Sequence, residues 1–284
     1  MSITQTGANF PELVAIMQRL LAPDGCPWDR EQTLDSLKPY AIEEAFEVIE
    51  AIEKGDAPEH CEELGDLLFQ VVFQAELRAR EGAFGIEDVV AAIARKMVHR
   101  HPHVFGDLSV SGSAEVLANW DKWKAAEHAK KGKVRGTLDG IPVAMPALLQ
   151  AQRVGEKAAG VGFDWPDVQG VRDKVTEELG ELDEAMAGGD KAAIEEELGD
   201  LLFTLTRLGS KLGVPPEDAL RSCIRRFRTR FASMESRATG EGRALKEMTL
   251  DEMDALWREA KAALRERERG DLSASTPPET SGDR

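Results

Sequence analysis

Hydrophobic positions along this 284-residue chain recur with a helical period, and β-branched runs with period-two alternation do not occur. Leu13, Ile16, Met17 and Leu20 fall on one stripe of a helix predicted over Phe10–Leu21, and a turn-rich loop, Ala22 to Asp29, follows. Helices are predicted over Ser36–Lys54, stopped by Gly55-Asp56, and over Pro58–Arg80, ended at Gly82. Another spans Ile86–Arg100 and is halted by His101-Pro102. Ala114–Lys131 reads as a helix with Trp120 and Trp123 on one side, and Pro146–Gly160 and Leu250–Leu264 complete the set. The pattern predicts an all-α protein.

Glycine and proline crowd 132–146, which reads as a linker between a module at 1–131 and a second at 147–269; 270–284, rich in Ser, Pro, Thr and Gly, reads as a disordered tail. The modules are copies. A shift of 134 residues lays Glu43–Phe69 on Glu177–Phe203 without a gap, with fifteen of twenty-seven positions identical. The matches include carboxylates and glycines that apolar spacing alone does not demand. Each copy also carries an upstream Trp beside an Asp, in Cys26-Pro27-Trp28-Asp29 and in Gly162-Phe163-Asp164-Trp165.

In the second copy Glu178 and Glu181 are three residues apart and share a helix face, as do Glu197 and Asp200 on the next helix. A turn at Gly188-Gly189 returns the second helix antiparallel, so the four carboxylates surround one small volume. The first copy offers Glu44, Glu47, Glu63 and Asp66 in the same way. Such a cluster repels itself unless hard divalent cations with oxygen ligands relieve it; Mg²⁺ keeps open positions for waters or phosphate oxygens. The alternative is a solvated acidic face. Against it stand the apolar neighbours Leu198, Leu201, Leu202 and Phe203, and Leu64, Leu67, Leu68 and Phe69, which predict a Leu and Phe core behind each cluster.

Charge sharpens this. Lys and Arg number 36 against 52 Asp and Glu, a net −16, which argues against a nucleic-acid binder. Yet Arg221, Arg225, Arg226, Arg228 and Arg230 fall within ten residues free of acid, and guanidinium forks suit phosphate oxygens. Trp257, in the last helix, either stacks on a base or packs its helix. The first copy has Lys96, Arg100, His101 and His103 and no matching Trp helix at equal spacing, with Trp120 or Trp123 as stand-ins. Three scattered cysteines make neither a disulfide framework nor a zinc knuckle. With no leader-like start and no long apolar span, a cytoplasmic protein without membrane partners is expected.

The EExxE helix, the ExxD helix and the later basic helix resemble the MazG family of nucleoside triphosphate pyrophosphohydrolases, over about Phe10–Leu264. Gly25-Cys26-Pro27-Trp28-Asp29, His99 through Asp107, and Val161-Gly162-Phe163-Asp164-Trp165 resemble signatures of its full-length tandem form. The resemblance implies tandem all-α modules related to the dUTPase-like pyrophosphatases. It implies Mg²⁺-dependent hydrolysis of NTPs or dNTPs to nucleoside monophosphate and pyrophosphate and a homodimer, with clearing aberrant nucleotides and lowering an alarmone as the two candidate roles. It also implies that the C-terminal module is the active one. Glu178, Glu181, Glu197 and Asp200 would then be Mg²⁺ ligands, with a second set at Glu44, Glu47, Glu63 and Asp66. Lys174, Arg226, Arg230 and Trp257 would contact the nucleotide, and the base that activates water is one of Glu177, Glu178 and Glu181. Arg226 stands where the family often has Lys, and Thr229 where it often has Arg. Rival readings are a phosphatase releasing orthophosphate and a non-catalytic nucleotide-binding regulator.

Overall fold

A computed structural model describes residues 9–113, 115, 116, 119, 123 and 136–274, the side chains of 267–274 excepted. All regular secondary structure among them is helical, as the periodicity predicts. The chain divides into two compact units, Met1–Gly132 and Lys133–Arg284.

The N-terminal unit contains α1 (Phe10–Leu20), α2 (Pro27–Glu31), α3 (Lys38–Lys54), α4 (Ala57–Arg80), α5 (Ile86–Arg100) and α6 (Pro102–Phe105). Helices α3 and α4 form an antiparallel hairpin, with α1 and α5 against α4. Its corner is two residues long. Gly55 ends α3 in the left-handed region, φ 72°, where a side chain would be strained, and Asp56 caps α4 by accepting the Glu59 amide at 3.1 Å. Met17, Leu21, Leu37, Val72 and Phe73 are buried together, with Phe10, Tyr40, Phe69 and Leu77 around them. The loop expected over Ala22–Asp29 is in part helix: Pro27 occupies the first turn of α2, where its missing N–H costs nothing. Pro102 likewise opens α6 after ending α5. Most of the helix expected over Ala114–Lys131, Trp120 included, lies outside the described residues; Glu115, Val116, Asn119 and Trp123 are helical.

The C-terminal unit contains α7 (Ala147–Gly160), α8 (Val168–Gly188), α9 (Lys191–Lys211), α10 (Pro216–Gly240), a 3₁₀ turn at Leu245–Glu247, and α11 (Leu250–Ala274). The α8/α9 hairpin has the same corner, with Gly189 at φ 71° and Asp190 accepting the Ala192 amide at 2.9 Å. Helix α7 lies on α9, α10 on both, and α11 on α10. Within 136–146, Lys157 of α7 donates to the Asp139 carbonyl at 2.9 Å and so ties this stretch to its unit. The last helix runs past Gly270; residues 275–284 lie outside the described residues.

The two interiors differ. Met234, Ala238, Leu256 and Ala260 pack between α10 and α11. Between α7 and α9, however, the buried groups include Gly155, Thr204, Thr206 and Arg207. Arg207 occupies the position of Phe73 in the repeat. Its Nη2 donates to Asp164 at 2.9 Å, and Lys211 Nζ reaches the same carboxylate at 2.7 Å and the Trp165 carbonyl at 2.6 Å. Burial pushes the Asp164 carboxyl up, but the bonds from Lys211 and Arg207 outweigh it and hold it below the usual range.

The Leu and Phe core expected behind each cluster is made only in part by the residues named for it, such as Phe69 against the buried Leu21, Leu37 and Phe73. Leu201 is buried, but Leu198, Leu202 and Leu205 are exposed, as are Leu64, Leu68 and Val71 at the matching positions of α4. In each unit these residues, at i, i+4 and i+7, make one uncovered apolar stripe on the helix that carries the ExxD acids.

Candidate metal centre

Each hairpin brings carboxylates from its two helices together. Oxygen atoms of Glu178, Glu197 and Asp200 all lie within 4.8 Å of one another, as do those of Glu44, Glu63 and Asp66. The helical spacing puts each pair on the inner faces of the hairpin, and the two-residue corner sets which turns meet. Glu178 is buried, Glu44, Glu63 and Glu197 are half-buried, and Asp66 and Asp200 are exposed. Both sites therefore open to solvent at the Asp side.

Their electrostatics follow from crowding. Burial, then the Asp66 and Glu47 carboxylates, pushes the Glu44 carboxyl up. Burial with Glu47 and Asp66 does the same to Glu63. Burial with Glu181, Asp200 and Glu178 raises Glu197. Three hard oxygen donors converging at this spacing fit a divalent cation such as Mg²⁺, which needs few protein carboxylates. Glu181 and Glu47 stand beside these sets rather than within them.

The clusters differ in one neighbour. Lys174 of α8 places Nζ 2.7 Å from Glu177, 3.0 Å from Glu178 and 3.8 Å from Glu181. Hydrogen bonds to Glu177 and Glu178 raise its own pKa. The repeat puts Tyr40 at this position in the N-terminal unit, with its ring centroid 6.1 Å from that of Trp28. No Lys or Arg among the described residues pairs with Glu44, Glu47, Glu63 or Asp66.

The nucleotide-side residues read from sequence lie on α10 and α11. Arg226 donates to Ser222 Oγ at 2.8 Å. The Arg230 guanidinium lies 5.7 Å from the centre of the Trp257 ring, which sits 4.9 Å from Phe227. None of the three hydrogen-bonds or ion-pairs with Glu178, Glu197 or Asp200 among the described residues. Trp257 packs beside the Met234–Leu256 cluster. The expectation that the first copy lacks a Trp at equal spacing is wrong: a shift of 134 lays Trp257 on Trp123, which is also helical. Trp123 stacks on His103 with centroids 6.3 Å apart. The same shift, extended beyond Glu43–Phe69, pairs Lys174 with Tyr40 and Arg207 with Phe73, residues that sequence reasoning left uncompared.

Residues 32–105 match the family model described as the MazG nucleotide pyrophosphohydrolase domain. Residues 162–227 match the model for phosphoribosyl-ATP pyrophosphohydrolase. The nucleoside triphosphate pyrophosphohydrolase/pyrophosphatase MazG of Thermotoga maritima is 46% identical over 90% of this chain and 97% of its own. The nucleoside triphosphate pyrophosphohydrolase of Escherichia coli K12 is 44% identical over 89% and 97%. An uncharacterized Bacillus subtilis protein, YabN, is 43% identical over 90% of this chain and 52% of its own length. These matches bear out the resemblance drawn from the EExxE and ExxD helices.

Proposed function

The chain belongs to the MazG family, and from that premise we propose that it hydrolyses nucleoside triphosphates to nucleoside monophosphate and pyrophosphate with Mg²⁺, chiefly in its C-terminal unit. The observation that carries this reading is the convergence of Glu178, Glu197 and Asp200 across one hairpin, open to solvent on one side. A divalent cation there supplies charge neutralisation for a triphosphate and a nucleophile at neutral pH.

The chain's own groups do the rest. Glu178, Glu197 and Asp200, with Glu181 beside them, hold the cation. One of Glu177, Glu178 and Glu181 orients the attacking water and takes its proton. Attack at the α-phosphorus breaks the bond to the bridging oxygen, and pyrophosphate leaves with that oxygen. Lys174 and the guanidinium forks of Arg226 and Arg230 balance phosphate charge, and Trp257 offers a ring face to the base. With no hydrogen bond or ion pair from Arg226, Arg230 or Trp257 to the acids among the described residues, these groups serve a site completed on nucleotide binding.

A homodimer is part of the proposal. The stripes Leu64, Leu68, Val71 and Leu198, Leu202, Leu205 leave matching apolar faces on both units, and such faces are stable when paired. No described helix is long and apolar enough to cross a membrane. The free thiols of Cys26, Cys61 and Cys223 suit a reducing cytoplasm, and the acidic total disfavours nucleic acid as partner.

The test is purified protein with Mg²⁺ and a panel of NTPs and dNTPs, both products identified. Monophosphate with pyrophosphate supports the reading. Orthophosphate points to a phosphatase, and binding without turnover to a regulator. Adding deaminated and oxidised nucleotides tests a clearing role. Matched pairs locate the chemistry: Glu178→Gln with Glu181→Gln should abolish turnover, and Glu44→Gln with Glu47→Gln should leave most of it.

A further inference from the structure

The two acid clusters share their ligands and differ in their counter-ion. From this we infer that Lys174 is the resident cation of the metal-free C-terminal cluster, so that a divalent ion enters there by exchange, while the N-terminal cluster takes the ion without competition and more tightly. The inference rests on the cation-binding part of the proposed function and not on its chemistry.

The geometry is specific. Lys174 precedes Glu177 and Glu178 by three and four residues on α8, so its ammonium lies over the turn that carries them. Nζ is at hydrogen-bond distance from Glu177 and Glu178, and 3.8 Å from Glu181. Glu178, whose side chain is 5% exposed, has its only ion pair with this lysine among the described residues. Lys174 holds one oxygen of Glu178, Oε1, so a cation that takes Glu178 as ligand competes with the ammonium for the charge of that carboxylate. The displaced ammonium is then free for another anion, and a triphosphate is the anion this reading supplies. Metal entry and nucleotide capture are thereby linked through one side chain.

In the N-terminal unit Tyr40 brings no charge, and its ring packs beside Trp28 and the Met17 cluster. Glu44, Glu63 and Asp66 meet with no lysine or arginine paired to them among the described residues. Metal-free, that cluster bears its repulsion with no such partner, and an entering cation relieves it without first displacing one. As divalent ion rises, the N-terminal cluster therefore fills first, and the C-terminal one fills later or together with nucleotide.

Mn²⁺ titration of the full chain without nucleotide, followed by the spectrum of free aqueous Mn²⁺, reads this without turnover. Two classes of site are expected, their affinities differing by about tenfold or more, the scale of one screened charge contact. Glu197→Gln should remove the weaker class and Glu63→Gln the tighter. In the Glu63→Gln background, Lys174→Met should tighten the remaining site by about tenfold, while Lys174→Arg should leave it weak. Equal affinities, the reverse assignment, or a Lys174→Met site no tighter than its parent would overturn the inference. Should Lys174→Met not fold, the unsubstituted chain and the two silenced chains still rank the sites. NTP turnover is scored separately: its absence with the expected Mn²⁺ order removes only the proposed activity, and turnover with two equal Mn²⁺ sites removes only the role of Lys174.

Discussion

Replacing Gly155 by alanine sets two effects of opposite sign against each other. Gly155 lies inside α7, where helix propensity alone favours alanine by about 1 kcal/mol. A Cβ there, however, would come 2.4 Å from Arg207 Cδ, 2.5 Å from Nη1 and 2.8 Å from Nε. Arg207 cannot simply retreat: its side chain is 5% exposed and Nη2 holds Asp164 at 2.9 Å. Overpacking of this kind costs about 1–3 kcal/mol, and a broken buried ion pair about 3–5 kcal/mol. Lys211 stays on Asp164, so the lower part of that range applies. The net expectation is a loss of about 2 kcal/mol or more. In a unit of this size that lowers the melting temperature by about 4–8 °C. Thermal unfolding of the full chain, followed by circular dichroism, measures it. Gly180→Ala on α8 is the control: its Cβ would meet nothing within 4 Å, so it should melt at or above the parent. Gly155→Ala paired with Arg207→Ala should show strong coupling, because the clash is gone. A Gly155→Ala protein that melts as high as the Gly180→Ala control would refute the close approach of α7 and α9.

Asp190→Ala and Asp56→Ala remove the caps at the hairpin corners, and each should cost about 1 kcal/mol, read as a lower denaturant midpoint at unchanged slope. Leu202→Asp with Leu205→Asp should give monomers by light scattering while helicity persists; a dimer of normal affinity would remove the stripe from the interface. The pH response of the metal-free protein combines two signs. Glu44, Glu63 and Glu197 have raised pKa values, so each binds a proton more readily folded, and their repulsion is relieved as pH falls from neutral through those values. Asp164 and Glu252 are depressed, Asp164 below 3.8 and Glu252 from 4.5 to about 2, so their stabilisation is present above those ordinary values and is lost on further acidification. The melting temperature should therefore hold or rise on mild acidification and drop only in strong acid. Divalent ion should raise it at neutral pH and progressively less as the carboxylates protonate.

Helix positions were legible because long amphipathic segments carry many repeats of one period. The carboxylates were legible because the chain contains its own comparison. The five-residue α2 was not: a helix so short has no period, and its proline reads equally as a turn. Leu64, Leu68, Leu198 and Leu202 read as core because a stripe awaiting a partner has the same spacing as a stripe facing inward. Arg207 escaped notice because a lone basic residue on a helix reads as solvent-facing. Only Phe73 in the other copy marks that position as interior. The resemblance places Lys174 on the nucleotide; its pairing with Glu177 and Glu178 is visible only in the structure, because a lysine three and four residues before two acids reads equally as a surface pair.

The Gly-Asp corner also bears on how such a chain can change length. One residue inserted between the Asp190 cap and Glu197 would turn Glu197 and Asp200 about the α9 axis by about 100° and advance them by about 1.5 Å, away from Glu178. The connection upstream of the hairpin is not held to one length: it runs from Leu21 to Leu37 with α2 inside it in one unit and only from Val161 to Asp167 in the other. A change of length is thus accommodated before the hairpins, while the corners between their helices are two residues in both copies.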